Sequence, residues 1–416
     1  TDLVNRMNAS AAMSFRYPDT VAVLLPLSGR YAGTAAAVRD GLLAAYIADD
    51  SRISRPAIRF YDTASADAVS LLQRAVSDGA QFAIGPLLKD QVDAVAAATP
   101  NLPVLALNTT SADGSVTPSV FQFSLAPEHE AAAVAERAVA EGYTRAVALV
   151  PDSAWGERLL QAFNARLVEL GGDVLTYETY QARDSDFAVP IRTMLHLNHS
   201  RERWRQVSAV TGLKLEFEPR RRRDAQFAFV ATNPRQGRLI RPAFKYHFAE
   251  DMPIFATSAA YEDDADANGR DIDGLKFADM PWVISDGENA SGVRDAFSRH
   301  WPSRVLRRDR LYAMGYDAYR LIPQLIASDT WLDPWPGVTG RLTLDAGGRI
   351  ERKLDVAEIR GGTAIQLETL PTPLAPDLSD PLLDDAPVDD DPEEISLDPT
   401  PVAPADSRSS KYTTGR

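Results

Sequence analysis

The sequence alternates short apolar segments with helical segments, and this order constrains the fold more than any other feature. Val21–Leu25 is an apolar run of strand length, and Tyr31–Tyr46 repeats its apolar residues at helical spacing. The same order recurs from Ile58 to Leu107 and again from Ala126 to Phe248. Alternation of this kind indicates mostly parallel strands covered by helices on both faces. The run from Val21 to Leu107 and the run from Ala126 to Phe248 therefore predict two α/β lobes.

Two segments outside these runs differ in composition. Residues 1–18 show no regular pattern and are interpreted as a linker remnant. Residues 370–416 contain eleven Asp and Glu, three Lys and Arg, and nine prolines. Such a segment buries too little apolar surface to offset the entropy of ordering, so we predict a disordered acidic tail. We expect the lobes to comprise the following ranges: residues 19–125 and about 253–325 for lobe 1, and residues 126–252 and about 326–369 for lobe 2.

Charge and composition exclude several functional classes. The formal net charge is −14, and residues 370–416 contribute −8 of it, from eleven acidic against three basic residues. This excess argues against general nucleic-acid binding. The chain has no cysteine, which excludes disulfides and thiolate chemistry. No apolar run reaches the length of a membrane span, and no leader pattern begins the chain, so we expect any signal peptide or lipid anchor to lie outside it.

The sequence lacks the motifs that most often accompany catalysis. It has no Gly-x-x-x-x-Gly-Lys phosphate loop, no Gly-x-Gly-x-x-Gly dinucleotide loop and no Gly-x-Ser-x-Gly nucleophile elbow. It also has no His-Glu-x-x-His array for a metal ion. We therefore assign no catalytic residue, no cofactor and no metal ligand, and expect a protein that is not an enzyme.

The strongest local signal for a binding site is the segment Pro26–Gly33, which reads Pro-Leu-Ser-Gly-Arg-Tyr-Ala-Gly. It joins the first predicted strand to the first predicted helix. Such a turn places free N–H groups and a hydroxyl at the carboxyl edge of the sheet, where open α/β sheets bind ligands. The alternative is a simple turn in which Ser28 caps the helix. The candidate cleft residues of this segment are Ser28, Gly29, Arg30 and Tyr31.

Further candidate cleft residues follow later predicted strands. Trp155 has two interpretations, a ligand-facing aromatic of the second lobe or a half-buried packing residue. The candidates are Gly85 and Pro86 after the third strand, Asn108 and Thr109 after the fourth, Trp155 in the second run, and Thr257 and Ser258 after the strand at Ile254–Ala256.

These segments resemble the type I periplasmic binding proteins, the group that includes branched-chain amino-acid receptors. The resemblance covers roughly residues 20–365 and is carried by Pro26–Gly33, Ile84–Pro86 and Pro103–Asn108. It implies a two-lobed α/β fold with three crossings between the lobes and a hinge that lets the cleft close. Receptors of this type usually carry hydroxyl residues after the third strand, where this chain has Leu87 and Leu88. This departure disfavours an amino-acid ligand.

Distinctive pieces in the middle and end of the chain narrow the resemblance to the carboxyl-terminal domain of the penicillin-binding protein activator family, the LpoA-like outer-membrane lipoproteins. The match is spread along the chain. The pieces that carry it are Phe217–Asp224, Pro234–Pro242, Pro253–Ser258, Asp273–Trp282 and Gly337–Asp345.

The resemblance implies a periplasmic protein that is attached to the outer membrane through an amino-terminal lipid outside this chain. It implies a regulator that binds and activates a class A penicillin-binding protein, a bifunctional peptidoglycan synthase, with peptidoglycan as a second candidate partner. The alternative is a solute-binding receptor of an ABC-type importer, which shares the fold and would use the cleft. Fold alone does not decide between the two.

Arginines are concentrated between Arg201 and Arg241, in a chain that is otherwise acidic. One interpretation is a docking patch for an acidic surface of the synthase or for anionic cell-wall polymer, since Arg suits protein interfaces. The other is an internal network in which Glu216, Glu218 and Asp224 neutralise part of the charge and solvent the rest, which we favour for most of these arginines. The candidate docking residues are Arg220, Arg221, Arg222, Arg223, Arg235 and Arg238.

Overall fold

The computed structural model describes most of the two predicted lobes. The predicted linker remnant, except its last two residues, and the predicted tail, except its first two, lie outside the described residues. Within the described part of the chain, no helix combines the length and apolar character that a membrane crossing requires. The described residues are 17–49, 55–111, 118–212, 216–262, 270–284, 308–327 and 334–371, with the single positions 294, 298 and 302.

The first sheet, which defines lobe 1, has eight strands in the order β11-β12-β13-β5-β4-β3-β1-β2. The pairs from β13 to β2 are parallel, and β12 and β11 are antiparallel additions at one edge. Its elements are β1 (Thr20–Leu25), α1 (Ala32–Ala48), β2 (Ala57–Asp62), α2 (Ala68–Ser77), β3 (Phe82–Ile84), α3 (Lys89–Ala97), β4 (Val104–Ala106), β5 (Val120–Phe123), β11 (Trp335–Pro336), β12 (Arg341–Leu344) and β13 (Arg349–Lys353).

The second sheet, which defines lobe 2, has seven strands in the order β15-β14-β10-β9-β8-β6-β7. The pairs from β10 to β7 are parallel, whereas β14 and β15 are antiparallel. Its elements are α4 (Pro127–Ala140), β6 (Arg145–Pro151), α5 (Ala154–Glu169), β7 (Asp173–Tyr180), α6 (Ala188–Met194), α7 (Leu197–Thr211), β8 (Phe227–Val230), α8 (Pro234–Tyr246), β9 (Ile254–Thr257), β10 (Leu275–Asp279), β14 (Asp355–Arg360) and β15 (Thr363–Gln366).

Strand β1 shows why the first sheet is covered on both faces. Val21, Val23 and Leu25 belong to one buried cluster, and Ala22 and Leu24 belong to a second. Successive side chains of a strand point to opposite faces of the sheet. An unbroken apolar run therefore requires packing above and below the sheet, which confirms the predicted α/β architecture.

Two glycines let α1 cross closely over a later helix, α10 (Arg310–Ala327). A Cβ atom on Gly41 would lie 1.9 Å from the carbonyl oxygen of Tyr312, and one on Gly315 would lie 1.9 Å from the carbonyl oxygen of Val38. The two helix backbones therefore approach each other at reciprocal positions where no side chain fits. This crossing holds α10 against lobe 1.

The chain passes between the sheets at three places, as the resemblance implies. These crossings lie between β5 and α4, between β10 and α10, and between β13 and β14. The short helix α9 (Pro281–Ile284) follows β10 within the second crossing. In the third crossing, Leu354 alone separates the two strands.

The strand pairings correct part of each of two predicted lobe assignments, whereas α10 packs on lobe 1 and β14 and β15 lie in the second sheet, as predicted. Residues 253–325 were expected in lobe 1, but β9 pairs with β8 and β10 pairs with β9 in the second sheet. Residues 326–369 were expected in lobe 2, but β13 pairs with β5 in the first sheet and carries β12 with it. A short strand has no local feature that identifies its pairing partner, so the sequence could not show which sheet each of these strands extends.

Candidate functional site

All of the candidate cleft residues lie at or just beyond the carboxyl ends of parallel strands. The lobe 1 candidates follow β1, β3 and β4. In lobe 2, Trp155 is the second residue of α5, which follows β6, while Thr257 ends β9 and Ser258 begins a single 3-10 turn. The structure thus brings each set to the edge where open α/β sheets bind ligands.

Ser28 uses its hydroxyl inside lobe 1. Its Oγ donates a hydrogen bond to Asp62 Oδ2 at 2.7 Å, and the backbone N–H of Leu27 donates to the other oxygen of that carboxylate at 2.8 Å. The hydrogen bond from Ser28 is the main reason that the pKa of Asp62 lies below its usual range. Ser28 does not cap the following turn with its side chain. The alternative in which the Ser28 side chain caps the helix is therefore wrong, and the hydroxyl instead ties β1 to β2.

The loop after β3 turns inward. Gly85 has φ +96°, and a Cβ there would lie 2.1 Å from the carbonyl oxygen of Leu24, so only glycine fits. Pro86 is buried and Leu87 is a core residue with 7% exposure. The side-chain amide of Asn108 donates to the carbonyl of Leu87 at 3.1 Å. This loop offers apolar packing where a solute receptor would offer hydroxyls.

Arg30 and Tyr31 form a pair at the lobe 1 edge. The Arg30 guanidinium lies 4.4 Å from the centroid of the Tyr31 ring, which is a cation–π contact. Gly29 has φ +71° and starts the single turn that holds both residues. Arg30 is exposed, so its charge is accessible to an anionic group. In the described residues, no three His, Asp or Glu side chains are grouped to hold a metal ion.

Three other candidates make contacts within the protein or are buried in it. The backbone N–H of Thr109 donates to Asn108 Oδ1 at 2.9 Å. Trp155 is half-buried and packs against the main core cluster. Thr257 is fully buried, and its Oγ1 has no hydrogen-bond partner among the described residues.

A cluster of four charges, three of them buried and Arg310 partly exposed, lies where the chain crosses between the lobes. Asp279, at the end of β10, accepts hydrogen bonds at 3.1 Å from Nε of Arg310, at the start of α10. The backbone N–H of Ser258 donates to Glu130 of α4 at 2.8 Å. Arg352 of β13 donates to the carbonyl of Ala126, in the first crossing, at 3.2 Å. We call Glu130, Asp279, Arg310 and Arg352 the crossing cluster.

The crossing cluster joins the two lobes electrostatically. Its two arginines come from α10 and β13 of lobe 1, and its two carboxylates come from α4 and β10 of lobe 2. Burial raises the pKa of Glu130 to about 7, with repulsion from Asp279 adding to the rise and the two arginines opposing it. Removing one member of a buried pair leaves an uncompensated charge, which costs about 3–5 kcal/mol. The cluster is thus poised to fix how the lobes meet.

Sequence reasoning missed the crossing cluster entirely. Its members belong to four elements, and Arg352 reaches a carbonyl 226 positions earlier in the chain. Of the four, only Asp279 has apolar residues on both sides, Ala278 and Met280, so the sequence offered little signal that these charges are buried together.

The arginine-rich segment lies at the opposite end of lobe 2, because Arg220–Arg223 precede the amino end of β8. Arg221 pairs with Asp251 at 2.6 Å, and Arg222 pairs with Asp224 at 2.6 Å. Arg220 is 71% exposed and lies 3.8 Å from Glu218. Arg223 is exposed and makes no ion pair within the described part of the chain. Half of this run is thus neutralised internally, and half faces solvent.

Arg235 and Arg238 do not extend this surface. Both lie in the first turns of α8, which begins after the carboxyl end of β8. Helix α8 has 13 residues and therefore spans about 20 Å. Arg235 and Arg238 therefore lie near the carboxyl end of β8, whereas Arg220–Arg223 lie near its amino end. The length of the strand separates the predicted patch into two groups.

Two α/β sheets joined by three crossings define the class of two-lobed periplasmic-binding-protein-like proteins. The chain is similar in fold to the LpoA (YraM) C-domain from Haemophilus influenzae, titled a regulator of PBP1A, with TM-score 0.64, 21% identity and coverage of 84% of this chain and 100% of that one. It is also similar to an ABC transporter substrate-binding protein from Sphaerobacter thermophilus, with TM-score 0.58, 16% identity and coverage of 86% and 99%.

The family model described as "LppC putative lipoprotein" matches residues 5–362, and the chain belongs to this family. A penicillin-binding protein activator LpoA from Photobacterium profundum is 31% identical over 362 residues, which are 85% of this chain and 58% of that relative. One from Vibrio antiquarius is 28% identical over 353 residues, covering 82% and 57%. The chain therefore spans little more than half the length of these relatives.

Proposed function

We propose that the chain is a non-catalytic regulatory domain that binds and activates a class A penicillin-binding protein. The observation that carries the proposal is the family match over residues 5–362, with relatives that are named penicillin-binding protein activators. Those relatives are longer chains, so the activity in their names is assigned to this domain as a proposal. Activation requires that the domain bind the active state of the synthase more tightly than the inactive state.

The family description also supports a location in the cell envelope. We assign the protein to the periplasm, held at the inner face of the outer membrane by a lipid on a segment outside this sequence. Peptidoglycan is a second candidate partner there. Nucleic acid is not, since the net charge of −14 opposes contact with phosphate backbones.

The lobe 1 edge of the cleft favours a regulator over a solute receptor. The Ser28 hydroxyl is bonded to Asp62, the Asn108 amide is bonded to the loop after β3, and Leu87 fills the core where a receptor would bind a carboxylate. The likeness to transporter receptors, at 16% identity, concerns the fold alone. A solute receptor would bind a small ligand, and the bound ligand would raise the melting temperature of the protein. A thermal-shift screen tests this alternative directly.

The exposed arginines at the amino edge of lobe 2 supply one candidate docking face. Arg220 and Arg223 face solvent, whereas Arg221 and Arg222 are held by Asp251 and Asp224. Reversing the exposed pair therefore tests docking while the ion pairs of Arg221 and Arg222 stay intact. Rim charges of this kind act mainly on association rate and on its salt dependence.

The first experiment measures binding of the purified chain to a class A penicillin-binding protein from the same organism, with transpeptidation followed in the same sample. We expect saturable binding and raised activity. Combined Arg220→Glu and Arg223→Glu substitutions should slow association about tenfold at low salt. The matched control is Arg74→Glu in lobe 1, whose side chain is 73% exposed. Absence of binding by the unmodified chain would reject the regulatory function, whereas equal association of both variants would reject only this face.

A further inference from the structure

Helix α7 is held to lobe 2 by very little packing. Leu197 and Ser200 are its buried residues, out of 15, and Trp204 and Ser208 are half-buried. A helix of this length is marginal in water without a packed face. The described residues of lobe 2 leave the rest of the α7 surface exposed, so this surface is available for contact with a partner.

One flank of α7 carries two exposed valines beside an exposed arginine. Arg203, Val207 and Val210 occupy positions i, i+4 and i+7, which lie on one side of a helix. Val207 is 50% exposed and Val210 is 87% exposed. Valine is a weaker helix former than alanine because its branched side chain loses freedom in a helix. These valines add neither helix propensity nor core burial.

The charge of α7 is opposite in sign to that of the chain. The helix has three arginines and one glutamate, in a protein of net charge −14. Arg201 and Arg205 lie at i and i+4 on the flank opposite Val210 and are exposed, as is Arg203. An acidic partner would be repelled by most of this protein and attracted here, which steers its approach.

An aromatic shelf connects α7 to the arginine loop. The rings of Trp204 and Phe217 have centroids 5.2 Å apart, and the Arg201 guanidinium lies 5.9 Å from the centroid of Phe217. The backbone N–H of Arg220 donates to Ser200 Oγ at 3.2 Å. An open cavity of about 500 Å³ lies beside these residues and is lined by Glu216 and Glu218 as well as by Arg220. Trp and Arg are the residue types that most often dominate binding energy at interfaces.

We propose that α7 and this shelf form a docking element for an acidic protein surface that carries a small apolar patch. The proposal rests on the regulatory function above, because the acidic surface belongs to the synthase. An anionic glycan polymer would use the arginines but would leave Val207 and Val210 in water. The valines therefore favour a protein as the occupant.

The test compares two variants of the full chain with the unmodified protein in binding to the class A synthase and in pelleting with peptidoglycan sacculi. Arg203→Glu with Arg205→Glu should weaken synthase binding about tenfold and flatten its salt dependence. Val207→Ser with Val210→Ser should weaken binding severalfold without changing the salt dependence. Arg74→Glu is the control, and circular dichroism should show unchanged helix content in every variant. Amides of α7, and not those of α5, should gain protection from hydrogen exchange on binding.

Each outcome decides between the two proposals. If the unmodified chain binds the synthase and both α7 variants bind equally well, the docking element is rejected and the regulatory function stands. If the unmodified chain fails to bind, both fall together. If the arginine variant loses pelleting with sacculi but keeps full synthase binding, the occupant is a glycan polymer and the protein surface is rejected.

Discussion

Glu130 is a fully buried carboxyl whose ionised form the surrounding structure opposes. Its charged neighbours are Asp279, Arg310 and Arg352, and it accepts a hydrogen bond from the backbone N–H of Ser258. Burial and the Asp279 charge raise the pKa from 4.5 to about 7. Between these values, the folded protein keeps a proton that the unfolded chain has released. Stability from this group therefore falls as pH rises through that window.

We predict that Glu130→Gln removes this loss of stability. The free energy of unfolding, measured in urea from pH 5 to pH 8, should fall less with pH in the variant than in the unmodified protein. Taking the difference between the two proteins at each pH cancels the contribution of other groups, such as His129, whose burial lowers its pKa to about 4. Glu157→Gln, at an exposed site on α5, is the control. Parallel curves for the Glu130 variant would show that this carboxyl ionises freely.

At the scale of elements, the crossing of α1 and α10 depends on two missing side chains. Each glycine faces a backbone carbonyl of the other helix at a distance that no Cβ tolerates. The close approach lets α10 cover the sheet while its first residue, Arg310, reaches Asp279 in lobe 2. A change in the distance between α1 and α10 would therefore disturb both the core packing and the contact of Arg310 with Asp279.

We predict that Gly41→Ala and Gly315→Ala each destabilise the protein by about 1–3 kcal/mol, because the added methyl group forces α1 and α10 apart. Gly33→Ala in α1 is the matched control, since a Cβ there meets nothing within 4 Å. Replacing glycine by alanine inside a helix otherwise stabilises by up to about 1 kcal/mol. Denaturant unfolding should show opposite signs for Gly33 and for the other two, and equal effects would contradict a tight crossing.

At the scale of the whole two-lobed unit, the crossing cluster couples the lobes more strongly than a surface ion pair would. Asp279 is 1% exposed and accepts hydrogen bonds from Arg310 across the lobe boundary. We predict that Asp279→Ala costs about 3–5 kcal/mol, and that adding Arg310→Ala costs much less than its own single effect. Glu250→Ala breaks an exposed pair with Lys245 and should cost under about 1 kcal/mol. Additive losses for Asp279 and Arg310 in urea unfolding would argue against direct coupling.

The sheet edge that carries the candidate cleft residues was predictable from the sequence, but the hydrogen bonds that those residues make were not. Pro26–Gly33 identified the right sheet edge, because a glycine-containing turn after an apolar strand is a local signal. The sequence did not show that Ser28 is bonded to Asp62, because that bond joins positions 34 residues apart. The sequence also showed the run of arginines at Arg220–Arg223. Which of these arginines are paired depends on Asp251 and Asp224.

Local patterns in the chain were sufficient to predict the two α/β lobes, their doubly covered strands and the sheet edge that carries the candidate cleft residues. These features follow from periodicity and turn residues, which act over a few positions of the chain. The tertiary structure alone decided which sheet β9, β10 and β13 join, where the crossing cluster forms, and how α7 is left exposed. These features depend on contacts between distant segments, because strand pairing and charge burial are energies of the assembled fold and have no local pattern.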